Sequence, residues 1–318
     1  MGIEGIYRIS LPVPYAIGNV NVYLIEGETL TLVDTGTKTE KCRDALESEL
    51  SKLGYAFDDI KTVVITHHHP DHCGMLDYFA DDVTIVGHPR NEPWITQEPT
   101  FMKAYEGYFQ TFARQMGVPV QIAAKGPDVK RTLIHSCHRP LTKEVREGDI
   151  IEALPEFVVI ETPGHASTHI SLYRERDGLL IGGDLLLAHV SSNPLLEPPM
   201  YDEIERPKVI LQYNESLRRL AEMNISRILT GHGEDVINVK ELVKERLGKQ
   251  RLRAEKVYDM LQVRPMTAFE VCMKLFPTLY LKQGSLTLSE TVGQLDYLEY
   301  HNRIVIDTSK EQWLFYAK

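Results

Sequence analysis

A chain of 318 residues, 43% of them hydrophobic and 25% charged, has material for a large core and is long enough for two domains. Its formal net charge of −10 weighs against nucleic acid, because polyanion binding draws on clustered Lys and Arg, although a local basic patch would suffice. No basic-then-apolar leader and no run of about 20 apolar residues is present, and Cys42, Cys73, Cys137 and Cys272 form no CxxC pair, so a reduced, cytoplasmic protein without a membrane span is expected.

Two short strand-like runs come first, at 21–26 and 29–33, the second stopping at Asp34-Thr35-Gly36. Residues 39–53 carry Cys42, Ala45, Leu46, Leu50 and Leu53 at helical spacing and end at Gly54, a helix C-terminal signal. The β-branched run 62–66 is too apolar to alternate, as befits a buried strand, and a histidine cluster stands at its C-terminal end. Another strand is expected at 83–86. From 93 to about 116 the texture changes: Trp94, Phe101, Tyr105, Phe109 and Phe112 fall mostly at helical spacing, which reads as a helical insert over about 90–120. Strands resume at 157–161, 170–174 and 179–181, and a helix at 210–223 precedes a strand at 227–230. Strands alternating with helices give an α/β layered catalytic domain over 1–245. The remainder, 246–318, reads as helices at 243–261, 267–275 and 289–301 and a strand pair at 303–306 and 312–316. Thr267 with Glu270 three residues on marks the second helix start. Helix, helix, helix, hairpin is the order of a small winged-helix-like domain.

The segment Thr66-His67-His68-His69-Pro70-Asp71-His72-Cys73-Gly74 contains H-x-H-x-D-H. Imidazole and carboxylate are preferred ligands of zinc and similar divalent ions. At a strand end alternate residues point to one side, so His67 and His69 can grip one ion. The chain then turns into a helix, where Asp71 and His72 can reach a second. Further candidate ligands are His165 in Pro163-Gly164-His165, Asp184 in Gly182-Gly183-Asp184 and His232 in Gly231-His232-Gly233. Each follows a strand beside glycines, where ligand sites gather in α/β sheets and tight turns leave room for them.

The ordered set HxHxDH, PGH, GGD and GHG resembles the metallo-β-lactamase superfamily over about residues 15–240, and Asp34 in Val33-Asp34-Thr35-Gly36 matches that family's early aspartate. The resemblance implies a metallo-β-lactamase αββα sandwich, here with a helical insertion and the C-terminal winged-helix-like domain of one branch of that superfamily. It implies His67, His69 and His165 on a first metal, Asp71, His72 and His232 on a second, and Asp184 bridging both, with Asp34 bracing the ligand loops. The cofactor it implies is two divalent metal ions per chain, zinc foremost, with iron or manganese compatible with the ligand types. A hydroxide bridging two dications, its parent water brought from a pKa of about 15.7 towards about 7, would attack an electrophilic carbon or phosphorus. Asp71 and Asp184 are then the residues with catalytic roles.

Other residues are weighed more evenly. His68 should face away from its neighbours and support them, Cys73 reads as a small buried residue, and Thr168 and His169 stand at even odds of supporting the ligands. His189, in the loop leaving Asp184, is a candidate substrate-binding residue. His135 and His138 beside Cys137 lack a complementary pair and read as chance. The aromatic insert is either ordinary core or a lid over the metals. Helix 286–302 carries Glu290, Asp296 and Glu299 without Lys or Arg, so the tail is expected to pack on the catalytic domain rather than on phosphates.

Three functions compete. A metal-dependent hydrolase of small carboxyl derivatives (thioesters, lactones or esters) leads. A phosphodiesterase or nuclease acting on RNA or DNA is the alternative, and a non-catalytic binding module is third, disfavoured by the intact ligand set. The expected partner is a small-molecule substrate, with nucleic acid and membranes disfavoured and a homodimer left open.

Overall fold

Strand β2 (Val20–Ile25) is buried at every position. Its alternate side chains enter different cores, Val22 and Leu24 one and Tyr23 and Ile25 another, because successive residues of a strand point to opposite faces. The computed structural model, which describes residues 3–123, 133–201 and 203–318, repeats this division throughout both large sheets. The first sheet runs β1 (Ile6–Leu11), β2, β3 (Leu30–Val33), β4 (Ile60–Val64), β5 (Thr84–Gly87), β6 (Lys143–Glu144), antiparallel up to β3 and parallel thereafter. Strands β7 (Val158–Glu161), β8 (Ile170–Arg174), β9 (Leu179–Gly183) and β10 (Arg227–Thr230) form the second, in the order β10-β9-β8-β7. Val33, Val64 and Val86 of one sheet meet Val159, Leu172 and Ile181 of the other in the central core.

Helices close the outer faces. Helix α1 (Glu40–Leu53), capped by Thr39 and ended by Gly54 at φ 86°, sets Leu46 and Leu50 against Leu24, Leu32 and Val63. Helix α6 (Val209–Glu222) sets Tyr213, Leu217 and Leu220 against Leu180 and Ile228. Helix, sheet, sheet, helix is the expected four-layer sandwich. Strands β1 and β6 were not anticipated. In β1 the polar Arg8 and Ser10 interrupt the apolar run of an edge strand, and β6 is two residues long with both exposed.

The C-terminal end of the aromatic stripe is core, while Trp94 at its start stacks on His68. Helices α3 (Glu92–Ile95) and α4 (Pro99–Gln115) carry the stripe, and Phe112 with Met116 packs among Val257, Leu261, Val292 and Leu295 of the C-terminal region. An amphipathic helix must bury its apolar face, and this one buries it against the tail. Phe112→Ala should therefore cost about 3–5 kcal/mol of stability in denaturant unfolding, the usual range for emptying such a site. A solvent-facing lid residue would leave the unfolding midpoint unchanged.

Helix α7 (Val239–Val263) crosses residue 245 without a break. Val239, Leu242 and Val243 lie under the second sheet, and Ala254, Val257 and Leu261 in the tail. Helix α8 (Ala268–Leu275) begins with the anticipated Thr267–Glu270 capping box, followed by α9 (Gly284–Tyr300) and the hairpin of β11 (Ile304–Asp307) and β12 (Leu314–Ala317). The acidic side chains of α9 are ion-paired: Asp296 with Arg206 at 2.7 Å, Glu299 with Lys208 at 2.5 Å and Glu290 with Arg253 at 2.5 Å. The first two pairs join the tail to the segment leading into α6. No helix among the described residues is long and apolar enough to cross a membrane.

Candidate metal centre

Beyond β4 the chain bends at Thr66, His68 and His69, and His69 is the N-cap of the short helix α2 (Pro70–Cys73), with Pro70 at its first position, where a missing N–H costs nothing. This stretch brings His67 and His69 together, with His67 Nε2 2.9 Å from His69 Nδ1. His165, on the turn after β7, brings its Nε2 to 3.0 Å from the same His69 nitrogen. His68 points the other way, stacked on Trp94 at 4.2 Å between ring centres and bonded to Thr168 Oγ1 at 2.9 Å. The ligand atoms of His67, His69 and His165 form one group; those of Asp71, His72 and His232 form another, and Asp184 groups with His67 and His72. In each group these atoms lie within 4.8 Å of one another. The seven residues expected to bind metal are thus together.

The hydrogen bonds show which nitrogens are free. Thr66 gives its hydroxyl proton to Asp34 Oδ2 (2.8 Å) and so accepts from His67 Nδ1 (3.0 Å), leaving His67 Nε2 a bare lone pair. His165 Nδ1 donates to the Asn193 carbonyl at 3.0 Å and His232 Nδ1 to that of Asn19 at 2.8 Å. His72 Nδ1 donates to Asp34 Oδ2 at 2.7 Å. His69 Nδ1 therefore faces two lone pairs and has at most one proton to offer, an arrangement a cation resolves. The Nε2 atoms of His72 and His232 and Oδ1 of Asp184 are buried and make no hydrogen bond. Asp184 Oδ2 lies 3.6, 3.6 and 3.5 Å from the Nε2 atoms of His72, His165 and His232, between the two groups. These donors fit divalent cations, and buried orphaned atoms of this kind are costly unless something binds them.

Supporting residues complete the site. Asp34, held at φ 60°, also accepts from the Thr66 amide at 2.7 Å and so joins the HxHxDH segment to β3. His169 Nε2 accepts from the Asp184 amide at 3.1 Å while its Nδ1 meets Thr162 Oγ1 at 2.8 Å, a supporting role the sequence left at even odds. Two glycines make room. A Cβ on Gly164, which lies at φ 132°, would stand 2.3 Å from Tyr213 Cα, and one on Gly231 would stand 2.2 Å from Asp184 Oδ1. Cys73 is buried and donates to the His68 carbonyl, and His135 and His138 join no metal-ligating group among the described residues. His189 is largely exposed and pairs with Glu234 at 3.4 Å, apart from the ligand cluster. The Asn19 and Asn193 carbonyls went unforeseen, since a backbone acceptor leaves no mark in a sequence.

Electrostatics divide the two groups. Burial pushes His67 and His69 well below the ordinary imidazole value, helped by neighbouring imidazoles, and burial also lowers His165 against the pull of Asp184. For His72 burial acts in the same sense but loses to Asp184, Asp34 and Asp71, and for His232 it loses chiefly to Asp184 and Asp71, so both are raised. Protons thus compete with metal at the second group at higher pH than at the first. A metal held by Asp71, His72 and His232 should therefore leave before one held by His67, His69 and His165 in dialysis across decreasing pH, read by metal content and by cobalt absorption. Release of both ions at one pH would contradict this.

The comparisons with known proteins agree with this centre. The family model of the metallo-beta-lactamase superfamily matches residues 16–232. Over 304 residues the chain is 43% identical to the probable metallo-hydrolase YqjP of Bacillus subtilis, covering 96% of this chain and 95% of that one. The thioesterase pkgB of Emericella nidulans is 25% identical over 246 residues, 76% of this chain and 54% of that one. The crystal structure of the metallo-beta-lactamase family protein TTHA1429 from Thermus thermophilus matches with a TM-score of 0.81 at 29% identity, covering 99% of each chain. With two sheets that carry the His and Asp side chains to one buried point, the chain belongs to the metallo-beta-lactamase superfamily, as a metallohydrolase.

Proposed function

We propose that this chain is a two-metal hydrolase of small carboxyl derivatives, namely thioesters, lactones or esters, with zinc as the first metal to test. The observation that carries the two-metal reading is Asp184 Oδ2, set 3.5–3.6 Å from imidazole nitrogens of both ligand groups. When bound, two divalent cations supply Lewis acidity and make water a nucleophile near neutral pH. Around them the chain does the positioning. His67, His69 and His165 would hold one ion, Asp71, His72 and His232 the other, and Asp184 both. Asp34 fixes the tautomers of His67, through Thr66, and of His72, and the Asp71 carboxylate would be the group that takes up a proton.

A small substrate is supported by burial. His67, His72, His165, His232, Asp71 and Asp184 are all buried, and His69 is the one ligand partly exposed, so access is narrow. The net charge of −10 and the ion-paired acids of α9 add no polyanion surface. The likeness to a thioesterase favours acyl substrates. The test is turnover by the zinc-loaded chain on an acyl thioester, a homoserine lactone, an aryl ester, a phosphodiester and single-stranded RNA. Hydrolysis of any of the first three, lost on chelation, is expected. Cleavage of the phosphodiester and RNA alone would overturn the reading in favour of a nuclease.

A further inference from the structure

The segment that leaves Asp184 does not run off over the surface. It returns as a strap along the His165 turn and is bonded on both sides. On its inner side the Asn193 carbonyl accepts from His165 Nδ1 at 3.0 Å, and the buried Glu197 carboxylate accepts from the Ser167 amide at 2.9 Å. On its outer side Arg246, itself buried in helix α7, donates from one guanidinium nitrogen to the carbonyls of Leu187, Ala188 and Val190 at 3.1–3.2 Å. Further along, the Leu196 amide donates to Ser289 Oγ of α9 at 3.2 Å, and the Leu196 side chain lies in the core of the tail.

We propose that Arg246, Ser289 and Glu197 are positioning residues for His165: the C-terminal helices hold the strap, and the strap fixes the imidazole of the first metal site. The chemistry of the contacts supports this. A guanidinium serving three carbonyls immobilises four residues of irregular chain, and burial makes each of those bonds hard to replace with water. An imidazole whose second nitrogen is held by a fixed carbonyl presents its first at a set angle, and loss of such support typically costs about 10–100-fold in metal affinity. The C-terminal helices thereby acquire a task in the metal centre although they contribute no ligand. This inference rests on the two-metal reading above, and not on the substrate class.

The test is cobalt titration of the metal-free full-length chain, followed by visible absorption. Arg246→Met and Ser289→Ala are each expected to weaken one of the two cobalt sites about tenfold or more and to alter its absorption bands. Glu197→Ala should do the same, and Glu197→Gln, whose amide oxygen can still accept from Ser167, should restore binding. In a His165→Ala background Arg246→Met should add no further loss at the remaining site, because its effect runs through the missing imidazole. Equal additional loss in that background, or wild-type cobalt affinity in Ser289→Ala and Glu197→Ala chains whose melting temperature alone has dropped, would overturn the proposal and leave these residues structural. A wild-type chain that takes up no cobalt would overturn the two-metal reading and this inference with it.

Discussion

Asp184→Asn should abolish turnover and cut metal content, with affinity falling by at least about 100-fold, the upper range for losing a mere supporting contact. The substitution keeps shape and removes charge. Asp184 Oδ2 stands among three Nε2 atoms of His72, His165 and His232, each of whose other nitrogens is committed to an oxygen or lies in the field of a carboxylate. An amide cannot supply the negative charge that the proposed pair of dications would share, and its NH2 would meet a lone pair or a cation. Burial opposes ionisation of Asp184, but His72 and His232 outweigh it, so the metal-free chain already holds this group as a carboxylate. The variant should remain folded by circular dichroism, since its backbone amide is still held by His169. Metal content by mass spectrometry and hydrolysis of the best substrate decide the matter. Full occupancy with turnover within tenfold of wild type would remove Asp184 from the bridging position.

Gly231→Ala should have an effect of similar size without touching a ligand's chemistry. The added methyl group would lie 2.2 Å from Asp184 Oδ1 and 2.9 Å from His72 Cε1, far inside contact distance. Either the carboxylate swings away or the β10 turn shifts, and the turn is restrained: the Gly231 amide donates to the Gly183 carbonyl at 2.7 Å and the Asn21 amide to the Gly231 carbonyl at 2.6 Å. Overpacking of this kind costs about 1–3 kcal/mol. The expected outcome is a modest fall in melting temperature together with loss of at least one metal equivalent. Gly233→Ala, where a Cβ would meet nothing within 4 Å, is the companion that separates the two causes, since its φ of 71° strains the same turn without crowding the ligands. Retention of both metals in Gly231→Ala would show that the carboxylate is not confined as drawn.

How much of this was legible beforehand follows the reach of each interaction. The H-x-H-x-D-H spacing, the three glycine-flanked ligands and the capping pair Thr267 and Glu270 are local patterns, and a few covalent bonds fix their geometry wherever they occur. The buried strands at 170–174 and 227–230 were readable for the same reason, because each carries its burial in its own composition. The alternation of strand-like runs with helical spacing pointed to the layered class before any contact was known. What the sequence could not decide depends on chain segments far apart. Whether Phe112 capped the metals or filled a core turned on where α9 lay, some 180 positions on. Whether His169 supported Asp184, and whether Asn19 and Asn193 oriented His232 and His165, turned on backbone groups that every residue possesses alike. The exposure of His189 and its pairing with Glu234 likewise depended on the tertiary path of its loop. The candidate ligands could thus be named from residue type, spacing and the family resemblance. The packing of the aromatic insert, the path of the strap and the contacts of the C-terminal helices appeared only in the tertiary structure, because packing and backbone hydrogen bonds join partners whose separation along the chain carries no signal.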